Sequence, residues 1–137
     1  MMDMREMNQA VIAEHRRTGG QVTGELAGIP VLLLTTTGRR SGRPHTTPLG
    51  FVDDGGRLFV AGSNAGSPTH PNWYRNLLVT PSATVEVDGR TVDVTAVELH
   101  GDERDRAFER LKAALPPMAD YEAIAGRTIP VVALVER

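Results

Sequence analysis

The segment ATVEVDGRTVDVTAVEL, Ala83 to Leu99, constrains the fold more than any other stretch of the chain. Ala83, Val85 and Val87 alternate with polar residues, Asp88-Gly89 interrupts, and Val92, Val94 and Ala96 resume the alternation. Period-two patterning marks a strand with one buried face, and Asp-Gly between two such runs is a hairpin turn. The apolar phase then slips to Val97 and Leu99, which predicts a bulge. HTTPLGFVDDGGRLFVAG (His45 to Gly62) reads as strand, turn, strand, with Asp53-Asp54-Gly55-Gly56 as the turn. IPVLLLTTTG (Ile29 to Gly38) reads as a central strand, and RTIPVVALVE (Arg127 to Glu136) as the final one.

Helical spacing links Met4, Met7 and Val11, and Gly19-Gly20 stops that pattern. The short amphipathic helix so predicted suits the edge of the domain, or a lid or membrane-surface helix helped by His15-Arg16-Arg17. HPNWYRNLLV (His70 to Val79) and DERDRAFERLKAAL (Asp102 to Leu115) are further helices, each followed by proline. About six strands with three or four helices, and no βαβ alternation, predict a mainly β, α+β fold. Its form is an antiparallel barrel with appended helices. The 137 residues suit one domain, with the helix over residues 1–20 and the barrel over 21–137.

Function classes narrow by exclusion. The chain has no cysteine, so a thiol nucleophile, disulfides and thiolate metal sites are out. Net charge −2 and an isoelectric point near 6.1 oppose a general nucleic-acid binder, so any anion binding must be local. The N-terminus lacks a signal-peptide apolar run, and no segment approaches the roughly 20 apolar residues of a membrane span. A cytoplasmic protein is expected, with a peripheral membrane contact left open.

Local positive charge is concentrated in TTTGRRSGRPHTTP, Thr35 to Pro48. Guanidinium groups make bidentate contacts with phosphate or carboxylate, hydroxyls add donors, and glycines let backbone N–H groups approach an anion. The alternative is a solvated hairpin turn. Neither a Walker P-loop nor a Rossmann fingerprint is present. A second constellation is VAGSNAGSPTHPNWYRNL, Val60 to Leu77. Its small residues would let a flat ligand lie on backbone, with Trp73 beside it or simply filling the core. Ser63 has no base at fixed spacing, so a hydrolase triad is disfavoured. His15, His45, His70 and His100 lack metal-ligand spacing. Tyr121, at an expected strand approach, is structural, a proton donor or a cofactor contact.

LLLTTTGRRSGRPHTTPL, GGRLFVAGSNAGSPTHPNWYRNL and DYEAIAGRTIPVV, in that order, resemble the deazaflavin-dependent nitroreductase and quinone reductase family of actinobacteria. The resemblance spans about Ile29 to Val135 and implies a split β-barrel related to FMN-binding barrels. It further implies coenzyme F420 as hydride donor to a quinone-like or nitro acceptor. Arg39, Arg40 and Ser41 match the family's phosphate-side loop, and His45, Thr46, Thr47, Pro48 and Leu49 match the segment beneath the cofactor. Ala61, Gly62, Ser63 and Asn64 match the strand end and loop, Asn64 standing where some relatives have lysine. Asn72, Trp73, Tyr74, Arg75 and Asn76 match the helix start against the ring. Ser63 and Tyr121 are the candidates for orienting the acceptor or supplying a proton. The alternative to an enzyme is a carrier for F420 or another flat anionic cofactor, FMN or haem. Barrel edges also invite a homodimer.

Overall fold

The structure, a computed structural model, describes residues 4–23 and 28–137. Residues 1–3 of the expected N-terminal unit, and the side chain of Met4, lie outside the described residues. Helix α1 is Met4–Thr18, ending before Gly19 and Gly20, both of which have positive φ. Seven strands follow: β1 (Val31–Thr37), β2 (Pro44–Gly50), β3 (Val52–Asp54), β4 (Arg57–Ala61), β5 (Ser82–Val87), β6 (Arg90–Glu98) and β7 (Val131–Glu136). Helix α2 (Asn72–Val79) lies between β4 and β5. Helices α3 (Gly101–Ala114) and α4 (Tyr121–Ala125) lie between β6 and β7.

All pairings are antiparallel, in the order β2-β1-β5-β6-β7-β4-β3. The two edge strands, β2 and β3, are separated in sequence only by Phe51. So short a link brings the ends of the order together, and the sheet curls into a half-barrel. Here the expected strand-turn-strand over His45 to Gly62 needs correction. Only β3 and β4 pair across the Asp53–Gly56 turn, while β2 pairs back onto β1 across the arginine loop. The chain turns inward at Phe51, whose N–H is donated to Pro30 O (3.2 Å) and whose ring enters the core.

Alternation along the strands feeds two cores. Leu58 and Val60 of β4, and Val132 and Leu134 of β7, point inside the curl with Leu32, Leu34, Val85, Val94 and Trp73. Their neighbours Phe59, Ala61, Val131 and Ala133 point outward, where Phe108 and Leu111 of α3 cover them. This arrangement accounts for the phase slip in β6 without a bulge. The β6 register runs unbroken against both β5 and β7. Val94 faces the inner core, and Leu99 joins the outer one under α3. The Asp88-Gly89 turn forms as expected, with φ 50° and 72°. Tyr121 is not at a strand approach: it opens α4, ten residues before β7 begins.

Candidate active site

The Gly38–Arg43 turn joins β1 to β2 and stands over the start of α2. Gly38 N–H is donated to Arg43 O (2.8 Å) and Gly42 N–H to Gly38 O (2.9 Å), which closes the turn. A Cβ at Gly38 would lie 2.7 Å from both His45 Nε2 and Ser41 Oγ, so glycine is what lets those two side chains converge. Asn76, buried in α2, ties the turn down. Its Oδ1 accepts from Arg39 N–H (3.1 Å) and Arg39 Nη1 (3.0 Å), and its Nδ2 donates to Thr36 Oγ1 (3.1 Å). Arg39 Nη2 reaches Asn72 Oδ1 at 3.4 Å.

Between this turn, β2 and α2 lies a groove of about 760 Å³. Arg39, Arg40, Ser41, His45, Thr46, Thr47, Asn72, Trp73 and Asn76 all line it, together with Thr36 and Gly38. Asn8, Gln9 and Ile12 of α1 form its remaining wall. Among the described residues no Asp or Glu lines it, although acidic residues outnumber basic ones in the chain. Arg40 makes no ion pair or side-chain hydrogen bond among the described residues, so its guanidinium is available to a ligand. Arg43 is exposed and does not line the groove.

The other sequence candidates lie elsewhere. Leu49 packs against the inner core, while Ala61 is part of the outer core. Pro48 is half-buried in β2, and Arg75 is exposed on α2. Gly62 closes β4 by donating its N–H to Pro130 O (2.8 Å). Ser63 is buried, and Ser63 O accepts the Gly66 N–H (2.9 Å). Tyr121 packs on the same tight turn, since a Cβ at Gly66 would sit 3.5 Å from Tyr121 Cδ1. Ser63 and Tyr121 thus share one turn, at the far end of the loop that leads into α2. Tyr74 faces away from the groove. It lines a smaller cleft of about 390 Å³ and donates its hydroxyl to Glu98 Oε1 (2.6 Å). Burial and Glu98 push the Tyr74 phenol up to about 12, so it remains a donor.

Sequence reasoning offered the N-terminal helix as a lid without naming the residues that would cover the site, and it missed Arg127. Asn8, Gln9 and Ile12 share one side of α1, but nothing in their spacing says what that side covers. Arg127 is the arginine of RTIP, and its half-buried guanidinium is bonded to the loop between β4 and α2.

A groove rimmed by guanidinium and hydroxyl groups and walled by tryptophan, with no carboxylate among the described residues, has the donors for a flat anionic ligand. The model of the family described as F420H(2)-dependent quinone reductase matches residues 5–136. The chain belongs to that family. An F420H(2)-dependent quinone reductase of Mycobacterium tuberculosis is 33% identical over 129 residues, covering 91% of this chain and 87% of the relative. A solved F420-H2-dependent reductase, FDR-A, superposes with a TM-score of 0.71 at 37% identity, covering 77% of this chain and 93% of that one. A pyridoxamine 5'-phosphate oxidase-like structure from Listeria innocua shares the fold (TM-score 0.55, 14% identity, 94% and 90% covered). The half-barrel is therefore a split barrel, the fold these two structures share with it. As a member of the F420H(2)-dependent quinone reductase family, the chain is an oxidoreductase whose cofactor is coenzyme F420.

Proposed function

We propose that the chain reduces a quinone-like acceptor with hydride from F420, and that the groove beside α2 holds the cofactor. The observation that carries this reading is the lining around Arg40, Ser41, His45 and Trp73, which has no carboxylate among the described residues, in a chain of net charge −2. When bound in reduced form, F420 supplies a hydride from carbon 5 of its deazaflavin ring. Arg40 and Ser41 hold its anionic phosphate and glutamate tail. Thr46 and Thr47, the part of the β2 segment that lines the groove, run beneath the ring, and Trp73 walls it. Asn8, Gln9 and Ile12 exclude water from above. Ser63 Oγ or Tyr121 Oη orients the acceptor oxygen and donates the proton that accompanies hydride arrival. Nitro compounds fit the same two-electron chemistry and belong in the same assay. The unpaired outer sides of β2 and β3 are where a homodimer would form.

The test is oxidation of reduced F420 with menadione and with a nitroaromatic, alongside titration of F420 and FMN by Trp73 fluorescence. Turnover with menadione and quenching by F420 are expected. Tight F420 binding without turnover across several acceptors would favour a carrier. Quenching by FMN but not by F420 would remove the cofactor from this groove.

A further inference from the structure

Residues 62–70 connect the end of β4 to the start of α2 with almost no regular structure. Asn64, Ala65 and Gly66 have φ of 48°, 53° and 85°, three consecutive left-handed residues of which only glycine adopts that region freely. Such a path costs free energy and persists only where its surroundings over-determine it. Asn64 Nδ2 and Ser67 Oγ bond within the loop, and one side chain from outside it binds five of its residues. The Arg127 guanidinium donates through Nε to Ser67 O (3.1 Å), and through Nη2 to Gly62 O (3.0 Å), Ser63 O (3.2 Å) and Thr69 O (3.0 Å). Its Nη1 lies 2.9 Å from His70 Nδ1, and since arginine can only donate, Nδ1 is the acceptor. Every one of these partners belongs to the same nine-residue loop. Arg127 follows Gly126, the left-handed cap of α4, and the first residue of α4 is Tyr121, packed on Gly66.

We propose that Arg127 is a positioning residue of the reductase reaction: its guanidinium sets loop 62–70, and through it Ser63 and the first turn of α2, against the cofactor groove. Lysine cannot substitute. A planar fork of five N–H donors serves acceptors on several sides at once, whereas an ammonium is a point donor with three. Tyr121 packs on the same turn at Gly66, so the loop that Arg127 sets also seats the second proton-donor candidate. None of residues 62–70 lines the groove, but Asn72 and Trp73, which open α2 just after them, do. The inference rests on the proposed function, in which this groove holds the cofactor and Ser63 meets the acceptor, because only then does the loop's placement enter the rate.

The test compares wild type with Arg127→Lys and Arg127→Ala in the full chain. F420 affinity is read by Trp73 quenching, and hydride transfer to menadione by single-turnover absorbance of the oxidised cofactor. Amide hydrogen exchange is read over residues 62–70. Misplacing reacting groups by about 1 Å can cost on the order of 100-fold. Both variants are therefore expected to lose roughly 10- to 100-fold in hydride transfer while F420 affinity changes less than about 3-fold. Exchange should rise in the loop and not in β1 or β5. Ser63→Ala added to Arg127→Ala should cost less than the two single losses combined, because both act through one loop. Guanidinium added to Arg127→Ala should restore part of the rate. If Arg127→Ala does not fold, the lysine variant carries the test alone.

Unchanged hydride transfer in either variant, or equal losses of rate, affinity and melting temperature, would overturn the inference. Failure of the cofactor reading looks different. Wild type itself would then show no turnover, while loop exchange still rose on substitution.

Discussion

At the scale of single residues, three arginines within five positions have three different fates. Arg39 is consumed by Asn76 and Asn72, Arg40 lines the groove with no side-chain partner among the described residues, and Arg43 is exposed outside it. Arg40→Ala should therefore weaken F420 binding roughly 10-fold or more, the loss expected for a hydrogen bond between charged groups. The deficit should shrink as salt is raised, and Arg43→Ala should be near neutral. Titration of both variants at two ionic strengths checks this. His70 supplies a pH-dependent element. Burial first, then the Arg127 and Arg75 charges, hold its imidazole below the usual 6.5, with Glu98 opposing. Because the folded value is lowered, the contribution of neutral His70 is complete above 6.5 and is lost as pH falls through the lowered folded value. Thermal melts from about pH 8 to about pH 5 should show an acid-side loss that is smaller in His70→Gln.

At the scale of elements, α1 is fastened at one end and spans the groove at the other. Buried His15 Nε2 bonds Val31 O (2.9 Å), and Arg16 makes two 2.9 Å bonds to the Glu86 carboxylate. Asn8, Gln9 and Ile12, nearer the N-terminus, wall the groove. The Arg16 hydrogen bond holds the Glu86 carboxyl below its ordinary 4.5. That fastening is thus present above 4.5 and lost as pH falls through the lower folded value. Arg16 is half exposed, so Arg16→Ala should cost no more than about 1 kcal/mol. Its clearer effect should be faster amide exchange in α1 and weaker F420 binding.

At the scale of the molecule, two cores share one curled sheet, and the inner core carries the groove wall. Trp73 is both a core residue and a groove residue, which merges the two readings its sequence left open. Leu34 is fully buried on β1, on the face that packs toward α2. Leu34→Ala should destabilise by about 2–5 kcal/mol, measured by denaturant unfolding. F420 affinity should fall with it under mildly destabilising conditions, because the same wall is loosened.

Local pattern carried the secondary structure well. The Asp88-Gly89 hairpin, the α2 and α3 helices and the stop at Gly19-Gly20 all depend on neighbours a few residues apart. So does the basic composition of the Gly38–Arg43 turn. What pattern could not supply was pairing over distance. It merged β2 and β3 into one strand, although they end on opposite edges of the sheet, because the inward turn at Phe51 depends on Pro30. It read Val97 and Leu99 as a bulge because it could not show that they stand on the sheet's other face, where α3 covers Leu99 and leaves Val97 exposed. Which arginine stays free depends on Asn76, 37 residues from Arg39. The shape of the Ser63 loop depends on Arg127, 65 residues from Gly62. A period or turn signal reports the backbone's local preference, whereas a guanidinium's partners are set only when folding brings remote carbonyls within about 3 Å.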